Sequence, residues 1–414
     1  MRKLMSKKEK IKNRIDLINR GEVPEGYKKV HGYIIPNDWN IVPIKKIARQ
    51  VKRSVEKPSE SYYRLSVRSH AKGTFHSFVE NPETVAMEEL FQVKENDLIV
   101  NITFAWEHAI AIVKKEDNNL LVSHRFPTYE FNSNASVKFY ENIIKLPRIK
   151  KMLSDMSPGG AGRNRVLNQT DFYNSLYIPY TNFKEQEKIA KILNCCDKVI
   201  ELKQKLLEEK NKEKKWLVKN LIQPKTILNC NDKTYKEYEF EDVIIKLPTK
   251  KYQINTTEYL TIGKYPVVDQ GKNKIIAYCN NSEKLYKCPI NGIIVFGDHT
   301  REIKYIDFDF VIGADGTQIL SVQNGISVKY IYYYLLNQRI PNTGYNRHYK
   351  FLKNILFMIP SQEKQKHVVQ ILSKIDNHIE YLEQELKQYK QLKKALSQLL
   401  LTGIVRTVEV DCEN

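Results

Sequence analysis

The sequence is poor in cysteine, glycine and proline. Its 414 residues include 6 Cys, 16 Gly and 15 Pro, while hydrophobic residues make up 42%. So few cysteines, none in a Cys-x-x-Cys pair, exclude a disulfide framework and a structural zinc site, and they predict a cytoplasmic protein with reduced thiols. The small share of glycine and proline excludes collagen-like and low-complexity chains. We therefore expect a folded protein of two or three domains.

Long apolar runs are also lacking. A membrane span needs roughly 18 apolar residues. The longest candidates, Leu98–Trp106 and Ala109–Val113, are interrupted by Asn101 and separated by Glu107 and His108. The basic N-terminal stretch has no apolar core behind it, as a secretory signal would have. We expect neither a membrane span nor a signal peptide.

Motifs for catalysis and cofactor binding are the third absence. The one glycine-rich cluster, Ser157–Gly162, does not lie between a strand and a helix, so it lacks the context of a dinucleotide site. The sequence has no P-loop, no Asn/Asp-Pro-Pro-aromatic run and no His-Glu-x-x-His. The polar stretch Asp298–Glu302 is predicted to be a loop after the strand Ile293–Phe296, with a catalytic role as the alternative. These absences favour a chain that is not an enzyme and binds no metal or cofactor itself.

Positive charge is what the sequence has in excess. Lys and Arg number 67 against 48 Asp and Glu, which gives a formal net charge of +19. The excess is spread over both halves of the chain. Such a balance predicts a polyanionic partner, most often nucleic acid. The alternative is a basic surface that only favours solubility.

The chain also contains an internal repeat. Two long helical patterns, from about Phe183 to Ile222 and from about Gln362 to Thr402, align without a gap at an offset of 179 residues. A repeat of this kind has to be identified before any other feature, because it decides the architecture. It predicts two copies of a unit in which a globular segment is followed by a long helix.

Both helices have predicted starts and stops. Asn182 is the candidate N-cap of the first helix, and Glu185 lies three residues on, where it can reach back to the backbone N–H of the cap. Ser361 is the candidate N-cap of the second helix. Pro224 and Gly403 are expected to end the two helices.

Apolar residues recur at intervals of three and four along both helices, as they do in a coiled coil. Lysines interrupt this seam, and the matched Lys214 and Lys393 are expected to help fix the register. Neither helix can bury its apolar seam alone, so we expect the two helices to pack together as an antiparallel coiled coil. The alternative is two amphipathic helices that each lie on their own domain. The predicted seam positions are Leu193, Ile200, Leu207, Leu217, Leu221, Leu372, Ile375, Ile379, Leu382, Leu386, Leu396 and Leu400.

The segments that precede the two helices share short fragments in the same order. Ser136–Phe139 recurs as Ser327–Tyr330, and Asp97–Val100 resembles Gly292–Val295. The predicted fold class is α+β, with two mixed α/β globular domains and two long helices in a pseudo-two-fold internal repeat. The predicted boundaries are a basic lead-in at 1–35, a first domain at 36–181, a first helix at 182–224, a second domain at 225–360, a second helix at 361–403 and a tail at 404–414.

Side chains that suit DNA occur in the predicted turns of both domains. Arginine can donate twice to guanine, asparagine and glutamine suit adenine, and lysine suits phosphate. For each candidate the alternative is a side chain that caps a turn or is merely solvated. The candidates are Arg163, Asn164 and Arg165 with Tyr345, Asn346 and Arg347 in a repeated Gly-x-Asn-Arg motif, and elsewhere Arg64, Arg68, Lys72, Gln270, Lys272, Asn273, His299 and Arg301.

Several fragments match the pattern of a known family when they are taken together. They are the lead-in fragments Gly26–Lys28 and Ile35–Trp39, the helix starts Phe183–Ile189 and Gln365–Val368, the pairs Asp197/Ile200 and Asp376/Ile379, and the second-domain motifs Phe296–Thr300, Asp307–Phe310 and Gly313–Gly316. With the duplicated layout, they resemble the specificity subunit of type I restriction–modification systems. The resemblance covers nearly the whole chain.

The resemblance implies a function. Each globular domain would be a target-recognition domain for one half of a bipartite sequence in double-stranded DNA, and the helix pair would set the gap between the halves. The helices would also hold two methyltransferase subunits, with restriction subunits as optional further partners. S-adenosylmethionine, ATP and Mg²⁺ would be bound by those partners, and this chain would bind no cofactor.

One feature departs from the family pattern. The second helix has Lys364, Lys366 and His367 where the first has Glu185 and Glu187 followed by another lysine, so the two helix starts need not meet a partner in the same way.

Three alternatives to this function remain. They are the specificity subunit of a stand-alone or other multisubunit adenine methyltransferase, a coiled-coil protein adaptor, and an enzyme with an unrecognised site.

Overall fold

The computed structural model describes residues 6–160, 164–222, 235–344 and 346–407. The chain divides into two compact units. The first unit comprises Met1–Leu202 with Leu386–Asn414, and the second comprises Lys203–Glu385. Each unit therefore contains one globular segment and parts of both long helices.

In the first unit the globular segment is rich in short strands. Its helices are α1 (Lys7–Asn19), α2 (Val137–Ile143), α3 (Pro147–Asp155), α4 (Gln169–Ser175) and the start of α5 (Phe183–Ile222). Its strands are β1 (Tyr27–Val30), β2 (Tyr33–Pro36), β3 (Asn40–Pro43), β4 (Ala48–Val51), β5 (Ser54–Glu56), β6 (Tyr62–Val67), β7 (Thr74–Val79), β8 (Glu89–Gln92), β9 (Leu98–Val100), β10 (Ile110–Ile112), β11 (Leu121–Val122), β12 (Thr128–Phe131) and β13 (Tyr177–Tyr180).

The second unit has the same kind of composition. Its strands are β14 (Lys236–Tyr238), β15 (Ile244–Leu247), β16 (Tyr265–Val268), β17 (Ala277–Cys279), β18 (Leu285–Tyr286), β19 (Ile293–Gly297), β20 (Ile303–Ile306), β21 (Phe310–Ile312), β22 (Thr317–Val322) and β23 (Phe357–Ile359). Its helices are α6 (Phe240–Val243), α7 (Val328–Leu336), α8 (Tyr349–Leu352) and the start of α9 (Gln362–Leu401).

The strand order is the same in the two units. An antiparallel sheet has the order β10-β9-β12-β4 in the first unit and β20-β19-β22-β15 in the second. A second sheet has the order β7-β6-β11-β8 and β17-β16-β21-β18, with β5 added at one edge in the first unit. The inner pairs β6–β11 and β16–β21 are both parallel. The predicted α+β class with an internal repeat is confirmed.

The long helices form where the repeat predicts them. The Oδ1 atom of Asn182 accepts a hydrogen bond from the backbone N–H of Glu185 at 2.9 Å, so it caps α5. In the same way, Oγ of Ser361 accepts a bond from the N–H of Lys364 at 3.4 Å. α9 ends before Gly403, whose φ of +70° is a conformation that glycine adopts without strain. α5 ends at Ile222, and Pro224 lies outside the described residues.

The two long helices pack together and run antiparallel. Within the second unit, Lys203 on α5 pairs with Glu385 on α9 at 2.9 Å, and eleven residues later Lys214 pairs with the earlier Asp376 at 2.7 Å. In the first unit, Lys393 on α9 pairs with Asp197 on α5. The offset of 179 residues relates the last two pairs, so the lysines that interrupt the seam have duplicated partners on the facing helix.

The predicted seam is the buried side of the helix pair. None of its twelve positions is exposed, whereas several apolar residues off the seam are. The buried positions are Leu193, Leu372, Ile375, Ile379, Leu382, Leu386 and Leu400, and the half-buried ones are Ile200, Leu207, Leu217, Leu221 and Leu396. A fully buried leucine contributes roughly 1.5–3 kcal/mol, so this stripe is a main source of helix stability.

Each unit has its own hydrophobic core. Trp39 and Phe139 are fully buried in the first unit and pack with Leu193 and Leu400 of the long helices. In the second unit Tyr330 lies in an equivalent cluster. Each globular segment is therefore fixed to the helix portions of its own unit. Among the described residues, no helix is long and apolar enough to cross a membrane.

Candidate nucleic-acid interface

The cationic candidates of the first unit lie on and beside the hairpin β6–β7. Arg64 is half-buried in the middle of β6, and Arg68 and Lys72 are exposed in the loop that follows. The Arg68 guanidinium lies 4.9 Å from the ring centre of Phe75. The loop is anchored because the N–H of His70 donates to the carbonyl of Glu107 at 2.8 Å. The hairpin thus presents two exposed cations on an anchored turn, and Nε of Arg68 also donates to the carbonyl of Thr74 at 3.4 Å.

Arg165 is tied to the end of α3. Its Nη2 donates to the carbonyl of Ser154 at 2.7 Å and its Nε donates to the carbonyl of Ser157 at 3.0 Å. These bonds tie the arginine to backbone carbonyls at and just beyond the helix end, as in the turn-capping alternative. Asn164 is exposed beside it, and Arg163 lies outside the described residues. DNA contact by this copy of the motif stays a prediction.

In the second unit, Gln270 connects three loops. Its Nε2 donates to the carbonyl of Asp315 at 2.9 Å, and its Oε1 accepts from the N–H of His299 at 3.1 Å. A Cβ atom on Gly316 would lie 2.6 Å from Oε1 of Gln270, and one on Gly297 would lie 2.7 Å from its carbonyl oxygen. Gly297 and Gly316, from two of the three second-domain motifs, are therefore required by close packing at this junction.

A buried lysine holds the turn that carries Lys272 and Asn273. Lys304 is only 6% exposed, and its Nζ donates to the carbonyls of Asp269 at 2.8 Å and Asn273 at 2.6 Å. Burial lowers the pKa of Lys304, and the nearby Asp269 carboxylate opposes that shift. Lys272 is exposed at the surface of this turn. A lysine on the core side of a strand is a sequence signal for such a role, but the candidate residues did not include it.

The loop that follows β19 is polar, as predicted, and is fixed by a buried network. Asp298 is 2% exposed and accepts a hydrogen bond from the N–H of Tyr349 at 2.8 Å. Its carbonyl oxygen lies 2.9 Å from Nδ1 of the fully buried His348. Arg301 in the same loop has a φ of +65° and its Nη1 donates to the carbonyl of Ile340 at 3.4 Å. This arrangement gives Asp298 a structural role.

The second copy of the Gly-x-Asn-Arg motif is more open than the first. Asn346 is exposed, and its Nδ2 donates to the carbonyl of Thr343 at 2.6 Å. Arg347 is exposed, and its side chain has no hydrogen bond or ion pair with any residue that the structure describes. Tyr345 lies outside the described residues. Arg347 is thus, among the described members of the two motifs, an arginine that is available to a ligand.

A glutamine at the start of each long helix connects it to the globular segment. The N–H of Ser136 donates to Oε1 of Gln186, and the N–H of Ser327 donates to Oε1 of Gln365, both at 2.9 Å. The two serines also cap α2 and α7. The sequence repeat contains all four residues, and the structure adds that they form duplicated contacts.

The two helix starts differ at the position just before these glutamines. Glu185 is 4% exposed and accepts hydrogen bonds from Nε1 of Trp39 at 2.9 Å and from Nε of Arg406 at 2.7 Å. The predicted reach of Glu185 to the backbone N–H of its cap is therefore wrong, because long-range donors take its carboxylate. At the equivalent place, Nζ of Lys364 lies 4.4 Å from the ring centre of Tyr235. The family departure noted in the sequence thus replaces a buried ion pair with a cation–π contact.

No cluster that resembles a metal site occurs in the described part of the chain, where no group of three or more His, Cys, Asp or Glu side chains could hold an ion. The polar groups that do converge are donors and cations in loops at strand ends. An arrangement of this type suits anionic or hydrogen-bonding ligands.

Comparison with known proteins gives consistent matches. A family model described as the type I restriction modification DNA specificity domain matches residues 36–211 and 232–391. The chain is 24% identical over 440 residues to the type I restriction enzyme MjaVIII specificity subunit of Methanocaldococcus jannaschii, covering 92% of this chain and 96% of that protein. It is also 24% identical to the putative MjaX specificity subunit of the same organism, with 92% and 97% covered.

A solved structure has a similar fold. The S subunit of a type I restriction–modification system from M. genitalium matches with a TM-score of 0.58 and 16% identity, covering 90% of this chain and 98% of that one. At this identity the likeness concerns the fold, including the two β-rich domains and the two packed long helices.

Proposed function

The chain belongs to the DNA specificity subunits of type I restriction–modification systems, and from this premise we propose that it recognises a bipartite DNA target with a gap between the two halves. Subunits of this family are not catalytic and bind no cofactor, and the enzyme activities lie in partner subunits. In the proposal, residues 36–181 form the target-recognition domain for one half and residues 225–360 form the domain for the other.

The observation that carries the two-domain proposal is the repeated strand order with different loops. In the first unit, the loops after β9 and β11 contain Phe104, His124 and Arg125. In the second unit, the corresponding loops after β19 and β21 contain His299, Arg301 and Asp315. Two copies of one scaffold with different side chains at the same strand ends can bind two different base sequences.

The long helices support the second part of the proposal, which concerns spacing. Each has 40 residues, and at 1.5 Å per residue each is roughly 60 Å long. The cross-helix ion pairs Lys214–Asp376 and Lys393–Asp197 fix their register. We propose that this fixed pair sets the length of the gap between the two half-sites.

Apolar residues on the helices support the proposed protein partners. Trp216 is 64% exposed and Tyr381 is 59% exposed, and Leu202, Leu206 and Leu392 are also exposed. Exposed apolar groups on a helix surface are typical of protein–protein interfaces. We propose that two methyltransferase subunits bind here and carry S-adenosylmethionine, and that restriction subunits with ATP and Mg²⁺ complete the complex. The assembly would act on DNA in the cytoplasm.

A domain exchange tests the proposal. Residues 225–360 are replaced by the corresponding segment of a relative, the chain is assembled with its methyltransferase subunits, and methylated adenines are mapped by single-molecule sequencing. The proposal predicts that one half of the methylated sequence changes while the other half and the gap stay the same. A change in both halves, or in neither, would contradict it. The matched control replaces residues 36–181 and is expected to change the opposite half.

A further inference from the structure

A cavity of about 460 Å³ lies in the first unit beside the hairpin β6–β7. Its walls are the face of β6, the loop after β9 and the loop after β11. The lining includes Arg64 from β6, Thr103 and Phe104 from the first loop, and His124 and Arg125 from the second. Of these residues, only Arg64 was a candidate from the sequence.

The cavity is lined by cations and by no carboxylate. Arg64 and Arg125 contribute two guanidinium groups, and no Asp or Glu is among the lining residues. Within the part of the chain that the structure describes, neither side chain forms a hydrogen bond or an ion pair. By contrast, Arg49 and Arg53 of the same unit are paired with carboxylates. Two guanidinium groups without a carboxylate partner in one cavity favour a bound anion, which would offset their positive charge.

The other polar groups of the lining can donate and accept, and they include the amide of Asn101. Ser66, Thr103 and Ser123 supply hydroxyl groups, and His124 supplies an imidazole. An edge of a base pair in the major groove offers both donors and acceptors, whereas a phosphate offers acceptors only. The two guanidinium groups only donate, so together with their positive charge they match a phosphate better than a base edge. Phe104, which is 44% exposed, offers an apolar surface for the sugar next to that phosphate.

The loops that carry these groups are fixed before any ligand binds. The N–H of Ile102 donates to the carbonyl of Arg125 at 3.0 Å, which joins the two loops. The N–H of Phe126 donates to the carbonyl of Ser123 at 3.0 Å and closes the turn around Arg125. A site whose backbone is already ordered loses little conformational entropy on binding.

We propose that this cavity binds the phosphodiester backbone of the DNA at the first half-site, with Arg64 and Arg125 as its phosphate ligands. The proposal rests on the proposed function, because it takes double-stranded DNA as the ligand. It places these two arginines in a positioning role: they set the register of the first domain on the duplex and do not select bases. The loops of the second unit at the equivalent strand ends carry aspartates, so the site is particular to the first half.

Salt dependence of binding tests this assignment. The complex with the methyltransferase subunits is assembled with Arg64→Ala, Arg125→Ala or Arg125→Lys, and its affinity for a target duplex is measured from 50 to 200 mM salt. Each lost phosphate contact should reduce the slope of log K against log salt by about 0.9. Arg125→Lys should keep the slope near that of the unchanged complex, because lysine also neutralises a phosphate. Arg49→Ala is the matched control and should leave the slope unchanged.

The methylated sequence is mapped for the same variants. The proposal expects the same bipartite sequence in all of them, with methylation reduced evenly over all sites by Arg64→Ala and Arg125→Ala. A relaxed preference at one position of the first half-site would overturn the proposal, because it would make the arginine a base reader. An unchanged slope with Arg125→Ala would also overturn it. Failure of the proposed function would differ: the complex with the unaltered chain would then show no bipartite sequence.

Discussion

Glu185 gives the sharpest test of how the long helix α5 is held in the first unit. Its buried carboxylate accepts bonds from Trp39, from Thr181 and from two nitrogens of Arg406. Glu185→Gln keeps the size of the side chain and removes its charge. Removing one partner of a buried ion pair costs about 3–5 kcal/mol. Asp38 remains as a second partner of Arg406, so we expect a loss of about 2–4 kcal/mol in the free energy of unfolding.

The second helix start supplies the matched control. Lys364 occupies the equivalent position and makes a cation–π contact with Tyr235, so Lys364→Ala should cost only about 0.5–1 kcal/mol. Both variants are compared with the unaltered chain by urea unfolding. The unfolding is monitored by tryptophan fluorescence and by circular dichroism, because a protein of two units need not unfold in one step. Equal losses for Glu185→Gln and Lys364→Ala would refute the reasoning. A double-mutant cycle with Glu185→Gln and Arg406→Gln gives a second test. If the two losses simply added in the double variant, the residues would not be coupled, and this too would refute the reasoning.

Three further predictions follow from the same contacts. Leu386→Asp puts a carboxylate at a position that is 8% exposed, so thermal melting should show a loss of about 3–5 kcal/mol, and an unchanged melting temperature would contradict the seam. Hydrogen bonds from Arg406 hold the pKa of Asp38 below its usual value. The stability that this pair contributes is therefore present above the usual pKa and is lost as the pH falls through the lowered pKa. Asp38→Asn should remove that part of the acid transition. Arg347→Ala should relax base choice in the second half-site by about 1–3 kcal/mol, measured from methylation maps, whereas Arg165→Ala should mainly lower the melting temperature because its donors hold carbonyls.

The helices and the repeat could be predicted from the sequence because their signals are local and occur twice. The seam residues recur at fixed intervals, and the offset of 179 residues repeats Asp197 and Lys214 as Asp376 and Lys393. The cross-helix pairs Lys214–Asp376 and Lys393–Asp197 then follow from the antiparallel arrangement. Because each copy of a duplicated pattern supports the interpretation of the other, the strand fragments within the repeat also predicted β9 and β19 correctly.

The parts that the sequence missed depend on contacts between distant residues. Glu185 lies at the spacing of a capping box, but its partner Arg406 is 221 residues away, and no local pattern indicates that contact. His124 and Arg125 follow β11, which has only two residues, so neither alternation nor a motif marks them. Lys304 did leave a signal, since a lysine at an inward position of a strand needs buried acceptors.

The gap in the target tests the central claim most directly. Methylated adenines are mapped by single-molecule sequencing in DNA modified by the complex that contains this chain, and in the same DNA without it. We expect a methylated sequence of two specified halves separated by a fixed number of unspecified bases, which is absent when the chain is left out. A single continuous sequence, or halves separated by a variable number of bases, would contradict the claim that two target-recognition domains are held at one spacing by the paired helices.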